Sequence, residues 1–206
     1  PDASNQVSTA GIDALELAAD EALTGWSLTM GGTSDVGGTV TVDGANINLY
    51  PIVEEVVWIS FESNGGSYVT PVYINPGTAL NQSDFSQVPV RAGYTFNGWT
   101  PEGINWGSVP TSNVTLNATW TANTNKPYTL VYWIENADDD GYTFEKLTSK
   151  TGTSGAAVSL SSQELSTTNL NSDYRNYFNA GTYTSGQTID GDGSTIVNIY
   201  FARKTY

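Results

Sequence analysis

The sequence predicts an α+β chain dominated by β-structure and arranged as a row of small modules. Three observations carry that expectation. Only 14% of residues are charged, and Thr, Ser, Asn and Gly fill the polar positions, a balance that suits strands and tight turns. Short runs alternate apolar and polar side chains with the period of a half-buried strand. A pattern also repeats: Gly25-Trp26 followed by TVTVDGANINLYPI (39–52), then Gly98-Trp99 followed by NVTLNATW (113–120), with 73 positions between the two tryptophans.

Taken in order, residues 9–23 (TAGIDALELAADEAL) have helix-forming composition, with Ile12, Leu15, Ala19, Ala22 and Leu23 on one face. Val56–Phe61 alternates into Asn64-Gly65, whose residue types supply the positive φ angles of a type I′ turn, and Tyr68–Ile74 completes the hairpin. One short helical turn is expected around Asp84–Gln87. Tyr94–Trp99 and Val114–Trp120 read as two further strands, with Val114, Leu116 and Ala118 on one face. A third module opens with the hairpin Tyr128–Ile134 and Tyr142–Thr148. Ser161 and Glu164 then have capping-box spacing for a short helix at about 162–169, and Thr195–Ala202 returns as the last strand. The expected domains are 1–54, a partial or atypical module, then 55–123 and 124–206.

Composition also excludes functions. The formal net charge is −14, from 21 acidic and 7 basic residues. Nucleic-acid binding needs a stripe of Lys and Arg to displace counterions, so DNA and RNA are rejected as partners, and anionic membrane surfaces with them. With no His and no Cys there is no Ser-His-Asp or Cys-His nucleophile and no ordinary zinc site. No apolar run approaches the length of a membrane span. The opening PDASNQ is unlike a signal peptide, which points to a mature chain or an internal fragment.

The stretch VVWISFESNGGSYVTPVYINPGTAL, with RAGYTFNGW and NVTLNATW, resembles the Listeria–Bacteroides repeat, also called the internalin B-repeat. Phe61, Asn64, Gly65, Gly66, Gly93, Tyr94, Phe96, Gly98, Trp99 and Trp120 occupy its pattern over residues 56–121. Residues 128–203, with VYWIENADDDGY and GDGSTIVNIYFAR, resemble mucin-binding-protein-type modules, and residues 24–54 resemble the back half of a B-repeat only loosely. The resemblance implies β-grasp-like (ubiquitin-like) modules in an elongated row, in extracellular proteins of the bacterial cell surface or cell wall, with adhesive or spacer roles. It implies no catalytic residues, and fold-level analogy does not make this chain a mucin binder.

Several residues are candidates for more. Trp58, Tyr94, Phe96, Trp99, Trp106, Trp120, Tyr132 and Trp133 could stack on sugars, although small modules need such rings in their cores. Trp106, between Asn105 and Gly107, is the ring best placed for a ligand. Asp138, Asp140, Asp190 and Asp192 offer hard oxygens to calcium, but neither acidic turn has the EF-hand pattern, and Asp-Gly is a favoured turn dipeptide. No other cofactor is expected. Glu54-Glu55, Glu16 and Glu21 do not make a glycosidase pair on this reading, and Lys126, Lys146 and Lys150 lie in polar surroundings unsuited to an isopeptide crosslink. The sequence thus predicts a non-catalytic stalk or spacer whose partners are its neighbouring modules. The alternatives are an adhesin module for host glycan or surface protein, and an accessory segment of a large secreted enzyme.

Overall fold

The computed structural model describes residues 6–8, 16–42, 46–138 and 140–205. Twelve strands are present among them: β1 Gln6–Ser8, β2 Glu21–Ser27, β3 Thr39–Thr41, β4 Tyr50–Glu55, β5 Val57–Glu62, β6 Val72–Ile74, β7 Tyr94–Pro101, β8 Val114–Ala122, β9 Lys126–Glu135, β10 Tyr142–Gly152, β11 Thr182–Tyr183 and β12 Ile196–Phe201. They form two two-stranded sheets, β1-β3 and β2-β4, and two four-stranded sheets, β6-β5-β8-β7 and β10-β9-β12-β11.

The two larger sheets share one plan. In each, the first strand pairs antiparallel with the second (β5 with β6, β9 with β10) and parallel with the last (β5 with β8, β9 with β12). The third strand flanks the last: β11 runs antiparallel to β12, and β7 meets β8 in the same sense through Thr95–Asn123, Asn97–Thr121 and Gly98–Thr119 contacts. The expected alternation in β8 holds, with Val114, Leu116 and Ala118 buried and Thr119 exposed. Asn64 and Gly65 both adopt positive φ, +49° and +86°, as a type I′ turn requires. The ladder between β5 and β6 nevertheless covers only Val57–Ile59 and Val72–Ile74, a shorter second strand than expected.

The helical part of the α+β expectation is corrected. Among the described residues the only helical pieces are 3-10 turns, at Gln82–Asp84, Thr167–Asn169 and Arg175–Tyr177. Where a helix was expected at 162–169, Glu164 accepts bonds from the backbone N–H and hydroxyl of Ser161, so half of the capping box forms. The helix does not follow. The Asn169 amide donates to the carbonyls of Gln163, Glu164 and Ser166 at 2.8, 3.1 and 3.0 Å, taking the acceptors that a helix needs. The turn near Asp84–Gln87 sits slightly earlier than expected. Of the helix expected at 9–23, residues 9–15 lie outside the described residues, and Glu21 already opens β2. Pairing of β2 with β4, which buries Ala22 and Ile52, overrides local helix propensity. The 39–52 part of the repeated pattern holds β3 and the start of β4, with 43–45 outside the described residues.

The chain divides into two compact units: the described residues of 1–64 with 68–87 and 99–118, and 65–67 with 88–98 and 119–206. In the first, Ile59, Leu80, Phe85, Trp99 and Leu116 form the buried centre. Leu80 is fixed there by backbone bonds to Gly107 and Ser108. In the second, Tyr128, Leu130 and Tyr132 of β9 and Val197, Ile199 and Phe201 of β12 pack under Val158, Leu170, Phe178 and Ile189 of the crossing segments.

Candidate functional site

In the second unit the sheet has one face on the core, and alternation sends the remaining side chains of β9 and β12 to the other. On that outer face Tyr200 is in register with Trp133, and Asn198 with Val131. Trp133 Nε1 donates to Asn198 Oδ1 at 2.8 Å, which fixes the indole across the two strands. β10 completes the face through a bulge between Phe144 and Lys146. Glu145 binds the Asn171 backbone N–H and the Tyr174 hydroxyl, while the Lys146 ammonium lies 4.8 Å from the centroid of the buried Tyr132 ring. Two successive side chains thus turn inward, and Leu147, opposite Val131, returns to the outer face with Tyr142 and Phe144.

The result is an apolar surface in which Phe144 is 50% exposed and Leu147 60%. Its rings meet edge to face, Trp133 with Phe144 at 6.0 Å and Tyr142 with Tyr200 at 4.9 Å. Such cross-strand pairs stabilise the sheet and also leave polarised ring surface open to a ligand. Of this set only Trp133 was among the rings expected to stack on sugars. The overlooked signal was the adjacent Glu145-Lys146 pair, which interrupts strict alternation between Phe144 and Leu147.

The aromatic candidates are divided between the units: Trp58, Trp99 and Trp106 belong to the first, and Tyr94, Phe96, Trp120, Tyr132 and Trp133 to the second. Trp106 is half-buried with its ring 6.0 Å from Phe85, whose other neighbour is Phe61. Trp99 is buried, its ring tilted against Phe61 with centroids 4.8 Å apart, and it donates its Nε1 proton to Gln87 O at 2.8 Å. Trp58 donates to Glu21 O at 3.2 Å. Phe96 and Trp120 form an edge-to-face pair at 5.4 Å and are half-buried. Tyr132 lies in the core against Phe201.

The acidic turns use their carboxylates internally. Asp140 accepts from the Asn136 amide at 2.8 Å, and Asp138 is exposed beside Asp139, which lies outside the described residues. Asp192 accepts from the Ser194 hydroxyl and backbone N–H, and these bonds hold its carboxyl below the ordinary value. Asp190 lies within hydrogen-bond reach of Thr195. Among the described residues no group of three or more acids gathers as metal ligands would.

An open groove of about 460 Å³ in the first unit is lined by Asp20, Glu55, Pro76, Pro110, Thr111 and Asn113 among others. Its one amide side chain is committed to structure: Asn113 Oδ1 accepts from Trp58 N–H at 2.9 Å and Nδ2 donates to Ala19 O at 3.2 Å. Glu16, Glu21 and Glu54 do not line it, and Glu21 accepts from the Ala18 N–H. Of the lysines, Lys150 pairs with Glu164 at 2.5 Å, and Lys146 lies 3.4 Å from Asn169 Oδ1.

Residues 58–119 match the family model of the Listeria-Bacteroides repeat domain, a repeat domain of surface and secreted bacterial proteins. The match takes in β5 to most of β8 and stops short of residues 126–206. Families of this repeat are generally non-catalytic and occur in extracellular or surface proteins. No curated protein matches the chain. Among the described residues no helix is long and apolar enough to cross a membrane.

Proposed function

We propose that the chain is a non-catalytic repeat region of a bacterial surface or secreted protein, acting as a spacer built from β-grasp-like modules over 55–123 and 124–206. The observation that supports this reading best is the duplicated plan. A sheet of order second–first–last–third, with a central parallel pair, is built once in the family-matched repeat and again in the residues that follow. A module copied along a chain supplies length, and a net charge of −14 keeps like surfaces apart. Small-angle scattering tests the spacer. A single globule of this length would have a radius of gyration of about 17 Å; a spacer requires a value well above that, and one at 17 Å overturns the reading.

A second reading, adhesion, rests on the outer face of Trp133, Tyr142, Phe144 and Tyr200. Rings open to solvent on a rigid sheet suit a neutral glycan or the apolar patch of a host surface protein. A glycan array and a surface-protein binding screen test it. Binding that falls at least ten-fold in the Tyr142→Ala/Phe144→Ala double variant supports adhesion, and binding unaffected by that variant removes this face from consideration.

A further inference from the structure

One contact in the second unit involves almost no side chain. Gly93 has φ +77°, and a Cβ placed on it would lie 2.2 Å from Gly191 Cα and 2.2 Å from Ser154 Oγ. A Cβ on Gly191 would lie 2.0 Å from Ala92 O, and one on Gly155 would lie 2.4 Å from the Tyr94 hydroxyl. Real Cβ atoms do not approach so closely, so the backbone of 92–94 and the turns at 154–155 and 190–193 meet at a distance that only glycine permits. Ser154 is buried, and its Oγ has no conventional hydrogen-bond partner among the described residues. Where a Cβ would strike Ser154 Oγ or Ala92 O, glycine points a Cα–H instead, the geometry of a weak Cα–H···O contact.

Ordinary hydrogen bonds lock the same place. Asn123 N–H donates to Gly93 O at 2.8 Å, Ser154 N–H donates to Asn123 O at 3.1 Å, and Thr95 Oγ1 donates to Asn123 Oδ1 at 2.6 Å. The turn that carries Gly191 is held by Gly193 N–H to Asp190 O and by Thr195 packed under Asp190. Gly93-Tyr94 belongs to the repeat motif, whereas Ser154, Gly155 and Gly191 lie in the residues that follow the repeat. The segment between, Asn123 to Asn125, therefore begins with a residue bonded on both sides.

We propose that the Ala92–Gly93–Tyr94 corner of the repeat is a docking surface for the module that follows it in the chain, joined by a Gly93–Gly191 interlock that turns residues 122–126 from a linker into a fixed joint. The partner it fits presents two turns, one with a glycine at its closest point, as at Gly191, and one in which a buried small hydroxyl precedes a glycine, as at Ser154-Gly155. The joint goes beyond the spacer reading and holds whether the chain spaces or binds.

Amide hydrogen exchange on the whole chain tests it. In the wild type, the amides of Asn123 and Ser154 are expected to be protected as strongly as those of β9 and β12. Gly191 lies outside the left-handed φ region, so Gly191→Ala adds only the clash. That variant is expected to speed exchange at Asn123 and Ser154 by about ten-fold or more, the scale that overpacking a close contact brings, while β9 and β12 stay protected. Gly38→Ala, outside the left-handed φ region with no atom within 4 Å of the added Cβ, is the control and leaves both amides protected. Asn123 and Ser154 exchanging at open-linker rates in the wild type overturn the proposal, as does a Gly191→Ala chain that keeps both protected. If Gly191→Ala does not fold, the wild-type rates alone decide.

Discussion

Trp99→Phe isolates what the Gly-Trp motif contributes. The indole is 4% exposed, lies 4.8 Å from Phe61 and donates its Nε1 proton to Gln87 O. Phenylalanine keeps a ring against Phe61 but lacks the donor, so the Gln87 carbonyl loses that partner. Taking the partner from a part-buried acceptor costs about 1 kcal/mol, the low end of the range for buried groups. The smaller ring also leaves a void on the order of 40 Å³, which at about 24 cal/mol per Å³ adds ~1 kcal/mol. The expected loss is therefore about 2 kcal/mol. Urea unfolding followed by far-ultraviolet circular dichroism would show it as a lower midpoint with an unchanged slope. Trp99→Ala, which also empties the ring site, should cost more. A loss below ~0.5 kcal/mol for Trp99→Phe, the range of ordinary surface substitutions, would refute the claim that this tryptophan is a buried anchor.

Three other expectations concern the second unit. Burial pushes the Glu164 carboxyl up, but bonds from Lys150 and Ser161 outweigh it and leave the group below its ordinary value of 4.5. The stability it contributes is present above 4.5 and is lost as pH falls through the lower folded value. Urea midpoints measured from pH 6 down should fall less steeply below 4.5 in Glu164→Gln than in the wild type. The hydrogen bond to Glu145, aided by burial, raises Tyr174 to about 12. Its contribution is complete below pH 10 and disappears as pH climbs through 12. Burial raises Tyr128 and Tyr132 as well, so ultraviolet titration should show a late-ionising group of tyrosines that loses one member in Tyr174→Phe. Asn169→Ala removes the amide that ties three carbonyls together, of which those of Gln163 and Ser166 keep a backbone donor, and is expected to cost roughly 2 kcal/mol by denaturant unfolding. A cost near zero would mean that those bonds do not hold the crossing segment.

The strands were legible because their cause is local. Val114, Leu116 and Ala118 alternate with polar residues, and burial follows the alternation. Tyr128–Ile134 and Thr195–Ala202 were placed within a residue or two for the same reason. The helix expected at 9–23 failed because the deciding partner is elsewhere in the chain: nothing within 21–27 announces that Tyr50–Glu55 will pair with it. At 162–169 the competitor is local, the Asn169 amide on the carbonyls of Gln163, Glu164 and Ser166, and capping-box spacing alone does not reveal that competition. The outer aromatic face was hidden by its bulge. Tyr142, Phe144 and Leu147 are spaced by two and then three, a mixed period that belongs to neither a plain strand nor a helix. The Gly93–Gly191 contact could not be read at all, because glycines nearly a hundred residues apart carry no sign of their meeting.

The same bulge bears on how the exposed edge of this sheet is kept from recruiting strands. β10 runs from Tyr142 to Gly152 at the edge, and a straight edge of that length would be a template for another chain. The bulge after Phe144 breaks its ladder. Lys146 and Lys150 then point inward, one over the Tyr132 ring and one onto Glu164, with their charged ends held at the margin of the core. Inward charges and a bulge both penalise edge-to-edge pairing, because an added strand would have to follow a kinked backbone beside fixed cations. An outer face rich in Tyr, Phe and Trp is tolerable on such a sheet only because its neighbouring edge is blunted. The bulge that exposes Phe144 and Leu147 is thus also the feature that makes their exposure safe.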